Sequence, residues 1–175
     1  MKFPLLYYKN MKIDSSAPDW FNHDRFVLSG GHGSAMLYAT LLLNRYDISI
    51  NDLKNFRTLG SKTSGHPEVT TPGVDVATDP LGQGLGTAVG LAMAEKHLSA
   101  LYNKPSFSIV DNRIYVEVGD GDLMEGISHE SASLARYLHL NNLIVLYDSN
   151  RNTMDAEMSQ ECDDNVAERF KAIIF

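Results

Sequence analysis

Asp120 stands between Gly119 and Gly121 at the end of an apolar run over 114–118, and Asn150 closes an Asp148-Ser149-Asn150 triplet after a second apolar run over 143–147. A carboxylate and a carboxamide offer hard oxygen donors, the kind a small divalent cation takes while sharing its coordination sphere with phosphate oxygens. Glycines on both sides of Asp120 let the backbone turn sharply and approach a phosphate. The chemistry these residues suit is a magnesium ion carrying a diphosphate. The plainer alternative is a strand-to-helix turn in which Asp120 only caps the following helix.

The two runs, with a helix-like segment between them, make one βαβ unit. Its strands end on the same edge of a parallel sheet, so Asp120 and Asn150 arrive together beside a helix N-terminus. A second strand–turn–helix corner lies upstream: 25–29 predicts a short buried strand, stopped by Gly30-Gly31-His32-Gly33, after which Ser34 can cap an apolar helix over 36–43. His32, among glycines, either faces the open edge of the sheet or is a solvated loop residue. Ser49 and Asp52 have the spacing of a reciprocal cap on a short helix. The polar loop 60–71 shows no core periodicity, and its Lys62 and His66 either meet an anionic or hydroxylated ligand or stay solvated.

After the Asp79-Pro80-Leu81 turn, glycines 82, 86 and 90 fall on one face of a helix that runs to Leu101, permitting close approach of a neighbouring helix or a second subunit. Their spacing does not fit Gly-x-Gly-x-x-Gly, and no acidic residue follows at the distance a nicotinamide-binding domain requires. Residues 1–24 are weakly patterned. Arg151 to Asp155 reads as an exposed turn with free carbonyls, Asp163, Asp164 and Glu168 decorate a short helix, and 172–175 reads as the start of a strand.

The chain has 175 residues, a formal charge of −7 and 43% hydrophobic content, enough to bury a core. The acidic balance excludes nucleic acid or an anionic membrane as the main partner. The single Cys162 excludes an internal disulfide and a cysteine-based zinc site. No apolar run is long enough for a signal peptide or a membrane span, so the expected location is cytoplasmic.

Taken together, Asp24-Arg25-Phe26-Val27-Leu28-Ser29 with Gly31-His32-Gly33, Leu59-Gly-Ser-Lys-Thr-Ser-Gly-His-Pro-Glu68, Pro80-Leu-Gly-Gln-Gly84 and Gly119-Asp-Gly-Asp-Leu-Met-Glu-Gly-Ile-Ser-His-Glu130 resemble transketolase, in the same order from about Pro18 to Phe170. The resemblance implies an α/β fold, a three-layer parallel sheet with helices on both faces (the thiamine diphosphate-binding fold), here incomplete, with 1–175 a part of that diphosphate-binding domain and no second domain. It implies thiamine diphosphate and Mg2+ (or Ca2+ or Mn2+) as cofactors. Asp120, the Asn150 side chain and the Asn152 carbonyl would bind the metal, and Gly121 and Asn150 the diphosphate. His32, Asp79, Pro80 and Leu81 would line the cofactor, with Met154 packing on it. Glu125 matches the glutamate that links the two active sites of a homodimer, and His66 would contact the sugar, so that His32 and His66 are the catalytic candidates. The implied reaction transfers a two-carbon ketol unit between sugar phosphates. The thiazolium stabilises the carbanion, while protein groups position it and move protons.

Several positions depart from the family pattern. Asp79 stands where glycine is usual, as do Arg136 and Ala156, and His23 and Ser64 also differ. The family's N-terminal histidine segment, the rest of the diphosphate domain and the pyrimidine-binding domain have no counterpart here. Two functions follow: a section of transketolase that works with a separate chain carrying the pyrimidine domain, or a catalytically inactive paralogue that serves as an interaction module or has no function.

Overall fold

The three apolar runs pair in parallel. In the computed structural model, β1 (Arg25–Leu28), β2 (Ile114–Gly119) and β3 (Leu143–Asp148) form a sheet in the order β1-β2-β3. Leu28 lies opposite Glu117, and Gly119 opposite Asp148, so all three strands end on one edge. Residues 3–152, 157, 160 and 162–174 are described, without the Ile174 side chain.

Side chains alternate across the pleat. Phe26, Leu28, Tyr115, Ile144 and Leu146 face a layer made by α1 (Phe3–Lys9) and α2 (Ser34–Leu43). Val27, Ile114, Val116, Val118 and Val145 face the opposite layer, where α4 (Gln83–Tyr102) supplies Leu85, Ala88, Val89 and Ala92. Helices thus cover both faces, as an all-parallel sheet requires. A short α3 (Ile50–Lys54) follows α2, and Ser49 and Asp52 do form the expected reciprocal cap. The segment between β2 and β3 is two helices, α5 (Asp120–Met124) and α6 (Gly126–Tyr137), separated by extended backbone at Glu125. The last helix is α7 (Val166–Ile174).

Four sequence readings are corrected here. Within 1–24, α1 is helical, and its Phe3 and Tyr7 rings pack on Phe26 at 5.8 and 5.5 Å; seven residues are too few to show a period. Residues 172–174 end α7 and do not begin a strand, because Val166 and Phe170 recur at helical spacing against the sheet. Asp163 and Asp164 precede that helix, and only Glu168 lies in its first turn. Gly33, not Ser34, caps α2, and the Ser34 hydroxyl donates to the Gly65 carbonyl at 2.7 Å. The glycine face is also sharpened. The closest approach is at Gly84, where an added Cβ would lie 2.5 Å from the Ser29 Cα, while Gly82 and Gly86 face α6 and Gly90 has no neighbour among the described residues. No helix among the described residues is long and apolar enough to cross a membrane.

Candidate functional site at the carboxyl edge of the sheet

Asp120 is 1% exposed, at the junction of β2 and α5. It does not cap α5. One carboxylate oxygen accepts the Tyr147 hydroxyl, from the end of β3, and the other accepts the Arg151 N–H at 2.6 Å. Arg151 takes a left-handed backbone (φ 61) that aims this N–H back at Asp120 and draws the 150–152 turn against it. Burial, with the Asp120 carboxylate beside it, pushes the Tyr147 phenol above its ordinary range. Asn150 and Asn152 are exposed. The Asn150 Oδ1 accepts the Asn152 N–H at 2.9 Å, and its amide donates to Asp148 at 3.3 Å.

The βαβ connection therefore brings Asp120, Asn150 and Asn152 to one place. Each carboxylate or carboxamide oxygen there keeps a lone pair beyond its present bond, and the donors are hard oxygens, which fits a small divalent cation. Among the described residues, no group of three or more His, Cys, Asp or Glu forms an all-side-chain metal site. A cavity of about 790 Å³ opens beside this corner, bordered by Tyr147, Asn150, Asn152, Asp163 and Asp164. It reaches the Asn150 side of the edge and not the His32 side. Met154 lies outside the described residues.

Sequence reasoning passed over Asp122, which is also 1% exposed. One of its oxygens accepts the Ser29 hydroxyl at 2.5 Å and the Gly82 N–H at 2.9 Å, and the other accepts the Gly119 N–H at 2.9 Å. It thereby joins the end of β1, the start of α4 and the end of β2. The signal was present in the Gly119-x-x-Asp122 spacing, which is that of an acidic side chain reaching back to the first N–H of a helix. Gly82 has a left-handed backbone (φ 78), and its turn places Leu81 against Gly121 and sits beside Glu125 and Ile127. Leu81 therefore lies against Gly121, and Gly82 beside Glu125.

The histidines lie on the β1 side. His32 is exposed in a single 3-10 turn, Gly31–Gly33, its ring folded over Gly30, whose other neighbour is the Asp122 carboxylate. The loop carrying His66 is fastened to α2: the Tyr38 hydroxyl donates to the His66 carbonyl at 3.1 Å, and Ser34 holds Gly65. His66 Nε2 lies 3.1 Å from Asp79, the residue that departs from the family's glycine. Thr78, just before it, donates its hydroxyl to the Leu28 carbonyl at 2.7 Å and so pins the Asp79-Pro80-Leu81 turn onto the end of β1. Lys62 points elsewhere, paired with Asp47 at 2.9 Å.

A sequence profile described as transketolase, thiamine diphosphate binding domain, matches residues 4–175. The transketolase of Bacillus subtilis is 56% identical over 169 residues, which cover 96% of this chain and 25% of the relative. Transketolase 1 of Saccharomyces cerevisiae is 54% identical over 165 residues, covering 94% and 24%. Among solved structures, transketolase from Leishmania mexicana superposes with a TM-score of 0.94 at 49% identity, over 97% of this chain and 25% of that one. A Pichia stipitis transketolase complexed with sedoheptulose-7-phosphate gives 0.93 at 46%, over 98% and 26%. The chain spans about a quarter of the length of these relatives.

Proposed function

Since the chain belongs to the transketolase family, in the part that forms its thiamine diphosphate-binding domain, we propose that it holds the diphosphate end of that cofactor through a divalent metal. It does so as one portion of an enzyme that transfers a two-carbon ketol unit between sugar phosphates. The observation that carries this reading is the Arg151 N–H on Asp120, which draws the 150–152 turn against a buried carboxylate. In this reading Asp120, Asn150 and the Asn152 carbonyl hold Mg2+, or Ca2+ or Mn2+ in its place, and Gly121 and Asn150 meet the diphosphate. Leu81, Pro80, Asp79 and His32 line the cofactor, with Met154 added from the following turn.

When bound, the cofactor supplies the electron sink that carbon–carbon cleavage needs. The chain's own part is to orient it and to move protons at the sugar hydroxyls. His32 and His66 stand on the β1 side of the edge for that role. Glu125, exposed at the α5–α6 break, faces outward as an interface residue of a homodimer would. The pyrimidine-binding domain comes from elsewhere, on a longer chain or a separate one, and the cytoplasmic setting expected from sequence belongs to this proposal.

One observation favours the inactive alternative. Asp79 puts a carboxylate where the family has glycine and engages His66, adding negative charge at the mouth of an anion site. Titrating the chain with thiamine diphosphate, with and without Mg2+, separates the two. The expected result is weak, metal-dependent uptake that Asp120→Asn abolishes, with no ketol transfer by the 175 residues alone. Metal-independent uptake that survives Asp120→Asn would sink the metal-bridged reading, and no uptake even with a pyrimidine-domain chain added would favour the inactive one.

A further inference from the structure

We propose that Asp122 is the positioning residue of the corner: its carboxylate sets where Asp120 stands relative to the end of β1 and the start of α4. This deepens the reading above and rests on Asp120 being a metal ligand. The residues joined through Asp122 come from three stretches of chain, Ser29 being 93 positions away and Gly82 40. Each stretch carries a different part of the candidate site: Ser29 leads into Gly30 and His32, Gly82 follows Leu81, and Gly119 immediately precedes Asp120. One buried side chain thus fixes three separations at once, through bonds of 2.5 to 2.9 Å.

The carboxylate is suited to this by its acceptor count. It offers about four lone-pair sites and no donor, and all three partners are donors. Its Ser29 and Gly82 bonds share one oxygen, leaving the other to Gly119 alone. An asparagine has a single acceptor oxygen. With that oxygen toward Ser29 and Gly82, its NH2 would face the Gly119 N–H, donor against donor. Asp122→Asn is therefore a selective cut on the Asp120 side. Supporting groups of this kind are worth about 10- to 100-fold in metal affinity.

The test follows backbone amide resonances in the labelled 175-residue chain and Mn2+ binding by electron paramagnetic resonance, both well below the unfolding temperature. In Asp122→Asn the Gly119 and Asp120 amides are expected to shift and exchange faster, the Gly82 amide to hold, and Mn2+ affinity to fall about tenfold. In Ser29→Ala, whose oxygen is no longer shared, the Gly82 amide should move downfield while Gly119 and the Mn2+ affinity stay put. Unmoved Gly119 and Asp120 amides, or a lowered unfolding temperature with Mn2+ affinity intact, would overturn the proposal and leave Asp122 a mere staple. Should Asp122→Asn not fold, the Gly82 response in Ser29→Ala decides, its absence counting against the proposal. A wild-type chain that takes up no Mn2+ would remove the metal reading of the corner, while the amide responses still decide what Asp122 positions.

Discussion

Asp122 and Glu117 are buried carboxylates on either side of the end of β2, and their surroundings are opposite. Asp122, 1% exposed, receives three hydrogen bonds. Glu117, 8% exposed, sits in the register row of Leu28 and Leu146, and no described residue donates to its side chain. Burial, with Asp122 and Asp148 nearby, raises its pKa from 4.5 to about 7. Depth alone does not decide what a buried acid costs. The supply of donors does.

The contrast is broken most severely by Asp122→Ala. It strands a hydroxyl and two N–H groups, and urea unfolding should show a loss of about 3 to 5 kcal/mol. Glu117→Gln should act in the other direction. The folded state holds the Glu117 proton more tightly than the unfolded state, so wild-type stability falls as pH rises from about 4.5 to about 7 and stays reduced above that. Unfolding curves at pH 8 should favour the variant by roughly 2 to 3 kcal/mol, with little difference at pH 4.

Asp75 is an intermediate case at the far end of β1, where it pairs with His23 at 2.7 Å. The hydrogen bond that the His23 Nε2–H donates to Asp75 raises the His23 pKa above its ordinary 6.5. Its stabilisation is full below about pH 6.5 and lost as pH climbs through the raised value. His23→Gln should flatten that slope, by about 1 kcal/mol or less once solvent screening is allowed for. The smallest effect is expected from Lys62→Ala, whose exposed pairing with Asp47 should leave the thermal midpoint unmoved.

The layered fold and the approach of the 150–152 turn to Asp120 were legible in the sequence, because strand alternation and βαβ geometry are local rules with long-range consequences. The misreadings fell where the rule was too short to act. The seven residues of α1 and the final turns of α7 acquire their pattern only from the sheet they pack against. Thr78 on Leu28 was invisible for another reason: it joins chain segments whose approach no spacing encodes. Asp122 was half legible, its capping distance readable but its reach to Ser29 not.

The bond between Ser29 and Asp122 also has a consequence in time. Closing a loop of 93 residues costs roughly 4 kcal/mol in chain entropy, due before the contact returns anything. The helices, whose bonds are local, can form ahead of it, and the corner must await the pairing of β1 with β2. Refolding should therefore regain helical signal before Gly119 is protected from exchange, and the corner around Asp122 should be the last part of the chain to set.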